Sequence, residues 1–424
     1  RGEAMLTDNG GRDHVTVAEA AFDADRRLTA LRIDCVSNLG AYNSPFGQLI
    51  ASEVALKVLP GVYDVQKAWI NVRGVYTNTT PIDAYRGAGR PESIYTIERL
   101  MDWSARQLGE DPVAFRRRSF IPRESFPYRT VVGETYDVGD FDRVLDRALE
   151  RADLAGFAAR KAASARGGRL RGIGLSYYIE SILGDQNETT TIAFAEDGMV
   201  DLQVGTQSNG QGHETAFAQF LHDRAGIPFE RIRFVQGDSD RIARGGGTGG
   251  SRSVTMQGNS IRKTADVVIE AYRPLAEEEL EVAGADLVFE DGAFRVAGTD
   301  RSVDLMALSV RARAQGRHDL LSTTREFVVP GRSYPNGAHF AEVEVDPETG
   351  VVDVVKYTVV DDFGLLVNPM LAEGQVHGGV AQGIGQAVTE RVVYSPEGQL
   401  LSGSFMDYAM PRADDVPLIA FSTE

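Results

Sequence analysis

Three glycine-rich segments, far apart in the chain, constrain the fold more than any other feature of the sequence. They span residues 208–215, 245–253 and 373–379, and the sequence predicts that each leads into a helix. Glycine permits positive φ and close approach of the backbone, while the first turn of a helix leaves N–H donors unpaired at the positive end of its dipole. Each segment therefore suits an anion. One large polar ligand that carries phosphate is predicted to use all three.

A fourth glycine-rich segment, residues 83–92, precedes another predicted helix. It places Arg86 and Arg90 on either side of a glycine turn, and two guanidinium groups can hold a phosphate or a carboxylate through paired hydrogen bonds. A tight turn with solvated arginines explains the same residues. Taken alone, this segment leaves both interpretations open.

Composition narrows the class of protein. A chain of 424 residues with 42% hydrophobic content predicts two or three domains, and a net charge of −17 without a basic stripe argues against a nucleic-acid partner. No apolar run approaches the roughly 20 residues that a membrane span requires. The single cysteine, Cys35, excludes an internal disulfide and a four-cysteine zinc or iron–sulfur site.

Hairpins and helices alternate without a regular βαβ rhythm, which predicts an α+β fold with antiparallel sheets. Helices are predicted over residues 92–108 and from Asp111-Pro112 onward, where a capping residue precedes proline. Hairpins are predicted by turn sequences at residues 197–198, 291–292, 346–350 and 395–398.

The second half of the chain carries an internal echo. A hairpin, a loop with glycine and glutamine, and a helix occur around residues 210–213 and again around 374–377. This pattern predicts a duplicated unit, although supersecondary motifs also recur by chance. Prolines and a glycine between residues 121 and 138 predict a domain boundary, placed between residues 125 and 126.

The four glycine-rich segments occur in one order together with residues 136–140 and 403–408. In that order the chain resembles, over essentially its whole length, the molybdopterin-binding large subunit of the xanthine dehydrogenase, aldehyde oxidase and carbon monoxide dehydrogenase family. The resemblance implies two molybdopterin-binding domains, residues 1–125 and 126–424. The first would be incomplete at its N-terminus, where a Gly-Gly-Phe-Gly segment is expected before Arg1, and the second at its C-terminus.

The resemblance also implies a molybdenum ion held by the dithiolene of a pterin, in the cytosine dinucleotide form, with no metal ligand from a side chain. The residues that it assigns to cofactor binding are Arg86, Asn209, Gly210, Gln211, Gly249, Gly250, Ser251, Arg252, Ser253 and Gln375. The residues that it assigns to the substrate pocket are Tyr85, Ala88, Leu175 and Ser176.

The family reaction is hydroxylation of an aldehyde or an N-heterocycle, with water as the oxygen source. Electrons then pass to iron–sulfur and FAD partner subunits, and a cytoplasmic complex is expected. Gly87 stands where carbon monoxide dehydrogenases carry a copper-binding cysteine, which disfavours the molybdenum–copper reaction. Ala88 stands where xanthine-oxidising relatives carry a ring-stacking aromatic residue, which disfavours a purine substrate.

No catalytic base is assigned within the chain, because the family's glutamate is expected in a Gly-x-Gly-Glu segment beyond Glu424. Glu180 and Glu214 are the substitutes available, and each is expected to be structural. This chain alone is therefore expected to be inactive. The second interpretation is a non-catalytic fragment or assembly module that keeps the fold without cofactor, and the content of molybdenum and pterin separates the two.

Overall fold

The chain divides between two units in the structure, a computed structural model that describes residues 2–424. Unit 1 comprises Arg1–Ser181, Ser333–Leu365 and Ala372–Glu424. Unit 2 comprises Ile182–Arg332 and Leu366–Leu371. The domain boundary between residues 125 and 126 stays a prediction.

Helices and strands alternate along the whole chain. The strands are β1 (His14–Phe22), β2 (Leu28–Gly40), β3 (Lys67–Tyr76), β4 (Tyr128–Arg129), β5 (Thr135–Tyr136), β6 (Leu170–Ile179), β7 (Asn187–Phe194), β8 (Val200–Val204), β9 (Ile232–Val235), β10 (Leu287–Glu290), β11 (Ala293–Val296), β12 (Ser302–Asp304), β13 (Ser322–Val328), β14 (Asn336–Val345), β15 (Val352–Asp362) and β16 (Ile419–Thr423). The helices are α1 (Gly2–Thr7), α2 (Gly47–Leu49), α3 (Arg90–Gln107), α4 (Pro112–Arg117), α5 (Phe141–Ala152), α6 (Phe157–Arg166), α7 (His213–Ala225), α8 (Ser253–Leu280), α9 (Leu305–Ala314) and α10 (Pro369–Ile384). Within residues 2–424, none of these helices is both long and apolar enough to cross a membrane.

Two four-stranded sheets, one in each unit, share one pattern of strand directions. In unit 2 the order is β13-β7-β8-β9, with β7 antiparallel to both neighbours and β9 parallel to β8. In unit 1 the order is β6-β14-β15-β16, with β14 antiparallel to both neighbours and β16 parallel to β15. A helix, α7 or α10, follows each hairpin and precedes the parallel strand. This repeat is the one that the sequence indicates.

A smaller sheet in unit 1 has the same mixture of directions, with β1 antiparallel to β2 and β3 parallel to β2. The predicted α+β class is confirmed. The parallel pairs are an addition to the antiparallel sheets that the sequence predicts, because such pairs join strands that lie far apart in sequence and leave no local turn signal.

The helices that begin at glycine-rich segments are held in place by side chains buried in the hydrophobic cores. In unit 1, α3 buries Ile97 and Met101 completely. In unit 2, strand β7 alternates buried and half-buried residues along its length, and α8 packs Ile261 and Val268 against this sheet core. Loops at the start of α3, α7 and α8 are therefore attached to rigid elements.

Most predicted elements are present. Asp111 caps α4 by accepting hydrogen bonds from the backbone N–H groups of Val113 and Ala114, and α3 ends next to Gly109 as expected. The hairpins at residues 197–198, 291–292 and 346–350 are confirmed.

One of these predictions is wrong. Residues 373–379 lie inside α10 rather than in a turn before a helix. The helix begins at Pro369, after Asn368 accepts a 3.0 Å bond from the N–H of Leu371, and this cap outweighs the cost of the later glycines. The predicted hairpin at residues 395–398 is present in a minimal form. Tyr394 and Leu400 form an antiparallel bridge, the N–H of Ser395 donates to the carbonyl of Gln399 at 2.8 Å, and the N–H of Leu401 donates to the carbonyl of Val393 at 2.8 Å.

Candidate functional site

Two loops of unit 2 lie side by side, and we call residues 205–212 and 245–252 the paired loops. The N–H of Gly247 donates to the carbonyl of Gly205 at 3.2 Å. The hydroxyl of Thr248 donates to the carbonyl of Gln207 at 2.6 Å and accepts from its N–H at 3.1 Å. A Cβ on Gly245 would lie 2.3 Å from the carbonyl oxygen of Gly205, so this approach requires glycine.

The paired loops lead directly into helices α7 and α8. Neither helix has a side chain capping its first turn, so backbone N–H groups there are available to an anion. Gly210, at φ +102°, and Gly249 have no neighbouring atom within 4 Å of where a Cβ would stand. Gly250 and Ser251 both have positive φ, at +68° and +61°. These loops present open backbone of the kind that a bulky ligand can approach.

The side chain of Arg252 lies beneath the loops, not at their surface. It is 2% exposed and donates to a carboxylate oxygen of Glu188 at 2.7 Å. It also donates to the backbone carbonyls of Asp185, Asn187 and Gly247, each at 2.8 Å. The guanidinium is thus occupied in holding the loop, which leaves the backbone of Arg252 as the part that can contact a cofactor.

Glu188 and Gln257 support the paired loops, although neither residue belongs to a sequence motif. Glu188 accepts from the N–H of Gly246 at 3.3 Å, while the side-chain oxygen of Gln257 accepts from the N–H groups of Gly205 at 3.1 Å and Thr206 at 3.3 Å. The available signal was alternation along β7, which places Glu188 on the buried face of the strand. A charged residue at such a position needs a buried partner.

Several buried polar atoms in unit 2 have no hydrogen-bond partner among the described residues, and three of them belong to the paired loops or to residues next to the loops or to Arg252. These three are Nδ1 of His213, Oγ1 of Thr206 and Oδ1 of Asn187, while Tyr272 and Arg311 hold the others. Burial also lowers the pKa of His213, so the imidazole is neutral near pH 7. Because buried polar atoms are nearly always paired in native proteins, these atoms indicate a place for a polar ligand or ordered water. The unpaired atoms fit a polar cofactor, and the first turns of α7 and α8 without side-chain caps fit an anionic group on it.

In unit 1, the segment Tyr85–Gly89 forms a left-handed turn. Gly87, Ala88 and Gly89 have φ values of +89°, +35° and +84° in succession. Ala88 in this region carries strain, because its Cβ crowds the backbone. Such strain is often found at functional sites.

The two arginines of this segment have different environments. Arg90 is buried, donates to the carbonyl of Gly87 at 2.6 Å and pairs with Glu180 at 2.6 Å. Arg86 is exposed and donates to the carbonyl of Gly378 at 2.7 Å. This turn therefore does not hold an anion between two surface arginines. The ion pair with Arg90 supports the structural role expected for Glu180.

The predicted cofactor-binding residues are divided between the two units. Arg86 and Gln375 lie in unit 1, with Gln375 exposed on α10, whereas residues 209–211 and 249–253 lie in unit 2. That these residues form one site stays a prediction. Leu175, on β6, packs against the core of unit 1, and Ser176 faces His339 across the sheet, so their place in a substrate pocket also stays a prediction.

No group of three or more His, Cys, Asp or Glu side chains is placed to hold a metal ion anywhere in the described part of the chain. The family is decided by two family models, both described as a molybdopterin cofactor-binding domain, which match residues 1–120 and 147–417. The chain belongs to the molybdopterin cofactor-binding domain family. The resemblance to molybdenum hydroxylases that the sequence suggests is confirmed.

Among curated relatives, the chain is 32% identical to the 6-hydroxypseudooxynicotine dehydrogenase complex subunit gamma of Paenarthrobacter nicotinovorans, over 100% of the chain and 55% of the relative. It is 33% identical to the nicotine 6-hydroxylase large subunit of the same organism, over 98% of the chain and 53% of the relative. It is also 33% identical to the carbon monoxide dehydrogenase large chain of Hydrogenophaga pseudoflava, over 98% and 54%. The chain thus spans about half the length of these relatives.

Solved structures agree. The quinoline 2-oxidoreductase of Pseudomonas putida 86 matches all of the chain, and 56% of its own, with a TM-score of 0.93 and 32% identity. Carbon monoxide dehydrogenase from Oligotropha carboxidovorans matches the same shares of both chains with a TM-score of 0.93 and 30% identity. Membership of the family therefore rests on sequence and on fold.

Proposed function

We propose that this chain is the molybdopterin-binding part of a molybdenum hydroxylase, which oxidises an aldehyde or an N-heterocycle with water as the oxygen source. Iron–sulfur and FAD partner subunits would accept the electrons, in a cytoplasmic complex. The observation that carries the proposal is the pair of open glycine loops of unit 2, which lead into two helices without side-chain caps. This arrangement suits an extended cofactor that ends in phosphate.

The backbone of the paired loops would bind the cofactor, with Asn209, Gly210 and Gln211 on one loop and residues 249–253 on the other. Gln211 is in part committed to its own turn, because its side-chain oxygen accepts from the hydroxyl of Ser208 at 3.2 Å. Its side-chain amide would remain for the pterin. Arg86 and Gln375 are proposed as further cofactor contacts from the family resemblance, and so is the cytosine dinucleotide form.

When bound, the molybdenum centre would supply two-electron oxidation of a carbon atom. The residues of this chain would bind the cofactor and orient it, and they would shape the substrate pocket. The small side chain of Ala88 would leave room beside Tyr85 for a ring. The relatives named for nicotine and quinoline support an N-heterocycle as substrate.

Gly87 supports a copper-free site. A Cβ at this position would stand 2.4 Å from Cγ of Pro91, and the backbone has φ +89°. A cysteine does not fit this turn without movement of Pro91. The reaction proposed here is therefore the hydroxylation.

The base that activates water is proposed to lie beyond Glu424. Glu180 is ion-paired with Arg90, and Glu214 is exposed in the first turn of α7. A carboxylate in the first turn interacts favourably with the helix dipole, and this structural role explains Glu214 without a catalytic one.

The test is to measure molybdenum by elemental analysis and released pterin by fluorescence. Both are measured on this chain alone and on the native polypeptide produced with its partner subunits and cofactor maturation. Stoichiometric molybdenum and pterin in the native polypeptide would support the hydroxylase. Neither in any preparation would overturn it in favour of the non-catalytic module.

A matched pair of glycine variants locates the binding. Gly210→Ala and Gly316→Ala both place a Cβ in open space on a backbone with positive φ, at +102° and +71°. The two variants should therefore lose similar stability. Only Gly210→Ala should lose cofactor, and equal retention by both variants would remove the first of the paired loops from the binding site.

A further inference from the structure

Arg12 stands beside the left-handed turn Tyr85–Gly89, although it is more than seventy residues away in sequence. Gly10 forms an isolated parallel bridge with Ile82. The N–H of Gly10 donates to the carbonyl of Pro81 at 2.7 Å, and the N–H of Asp83 donates to the carbonyl of Gly10 at 3.1 Å. The backbone on which Arg12 is mounted is therefore tied to the start of the turn.

The guanidinium of Arg12 contacts four groups at once. It donates to the backbone carbonyl of Arg86, and it lies 4.9 Å from the centre of the Tyr85 ring. Its Nε lies 3.4 Å from a carboxylate oxygen of Glu92, and it also donates to the side-chain oxygen of Gln386. The Arg12 side chain is only 13% exposed. A planar fork with five donors suits such a multiple contact, and a lysine does not.

The contact with the carbonyl of Arg86 fixes the orientation of a peptide plane. Because the peptide unit is planar and trans, holding the carbonyl of Arg86 also sets the direction of the N–H of Gly87. The next carbonyl, that of Gly87, is held in the same manner by Arg90 at 2.6 Å. Two guanidinium groups thus hold two successive carbonyls of a turn whose positive φ at Ala88 is costly.

The same side chain joins the turn to α10. Gln386 follows the end of α10, and Arg86 donates to the carbonyl of Gly378 within that helix. Gln375 is on the same helix. Arg12 and Arg86 therefore make two separate links between the turn and the helix that carries Gln375.

We propose that Arg12 is a positioning residue, which holds the Arg86–Gly87 peptide and α10 in the arrangement that receives the cofactor. The part that concerns the cofactor rests on the proposed function. The part that concerns the turn stands without it. No motif identified Arg12, because the sequence does not reveal that residues 12, 86 and 386 meet.

The test compares Arg12→Gln and Arg12→Lys with the control Arg171→Gln. Arg171 is matched to Arg12 because it is also 13% exposed and also bound to carboxylates, those of Glu342 at 2.8 Å and Glu344 at 3.1 Å. It lies on β6, and neither of these partners belongs to the turn. Each variant is made in the native polypeptide, and its folding is checked by circular dichroism and by its unfolding midpoint.

The first readout is hydrogen exchange of the peptide that covers residues 83–90, measured without added cofactor. We expect exchange there to rise at least about tenfold in Arg12→Gln, which corresponds to about 1.4 kcal/mol of lost local stability, and to stay at the parent value in Arg171→Gln. Arg12→Lys should be intermediate, because an ammonium group can still donate to the carbonyl of Arg86. Unchanged exchange in Arg12→Gln, or an equal rise in Arg171→Gln, would overturn the proposal.

The second readout is molybdenum and pterin per polypeptide. We expect retention to fall in the order parent, Arg12→Lys, Arg12→Gln, with Arg171→Gln equal to the parent. Faster hydrogen exchange in residues 83–90 together with full cofactor retention would overturn the cofactor part of the proposal. A parent that holds no cofactor would instead overturn the proposed function, while the exchange result would still decide whether Arg12 positions the turn.

Discussion

The guanidinium of Arg252 donates to the carboxylate of Glu188 at 2.7 Å, and these side chains are 2% and 0% exposed. The pair lies under the paired loops of unit 2, where Glu188 also holds the N–H of Gly246. Two charges removed from water in this way depend on each other, since either one alone would be buried without a countercharge. The shape of the candidate site therefore depends on an interaction that is not part of its surface.

Removing one member of this pair should be costly. Glu188→Ala leaves the Arg252 guanidinium buried with backbone carbonyls but no countercharge, and we expect the free energy of unfolding to fall by about 3–5 kcal/mol. Glu270→Ala is the control, because the Glu270–Arg273 pair at 2.8 Å is partly exposed on α8 and should contribute at most about 1 kcal/mol. Urea unfolding measures both. Similar losses in the two variants would contradict the role given to Glu188.

Ala88 offers a test of strain at the left-handed turn. Glycine has no Cβ to crowd a backbone at φ +35°, so Ala88→Gly should raise the free energy of unfolding by up to about 1 kcal/mol. Ala163→Gly, on the exposed surface of helix α6, should lower it by about 0.5–1 kcal/mol. Thermal unfolding of both variants gives the signs, and the same sign for both would count against strain at Ala88.

Alanine substitutions at Gly374 and Gly250 should have opposite effects on stability, because Gly374 lies in a helix interior and Gly250 has a positive φ. Gly374 lies inside α10 with nothing within 4 Å of a new Cβ, so Gly374→Ala should stabilise the protein by about 0.5–1 kcal/mol. Gly250→Ala should destabilise it, because φ is +68° and the Cβ would meet the backbone of Leu183 at 3.0 Å. If Gly374→Ala were also destabilising in denaturant unfolding, residues 373–379 would not form the interior of a helix.

The buried His213 should make stability depend on pH. Its pKa is lowered by burial from an ordinary value of 6.5, so below pH 6.5 the unfolded chain binds this proton more readily than the folded one. Its contribution is complete above pH 6.5 and is lost as the pH falls toward and through the lowered value. His213→Asn should therefore flatten part of the fall in unfolding free energy between about pH 6.5 and pH 5.

His222 is the control for that experiment, since its Nδ1 is paired with the carbonyl of Ile227 at 2.8 Å and its side chain is not buried. His222→Asn removes this exposed histidine instead and is measured beside His213→Asn. Urea unfolding at several pH values gives both slopes. A slope in His213→Asn as steep as in the parent would assign the pH dependence to other groups.

Much of the secondary structure could be predicted from the sequence, because caps and turns depend on residues that are close together in the chain. Asp111 before Pro112 predicted a capped helix, and turn residues predicted the hairpins, because each signal acts between neighbours in the chain. The order of the glycine-rich segments was enough to indicate the family. The wrong prediction at residues 373–379 has the same origin, because glycines favour a turn locally whereas the helix already begins at Pro369, after the cap at Asn368.

The sequence by itself determined the fold class, the family and the loops that can approach a large anionic ligand. Only the tertiary structure decided which side chains hold those loops: Arg252 points inward to Glu188, and Arg12 reaches the turn at Arg86. The physical reason is that backbone propensities and caps are properties of neighbouring residues. A buried guanidinium takes its partners from whatever the fold brings within hydrogen-bond distance, and no local pattern records that meeting.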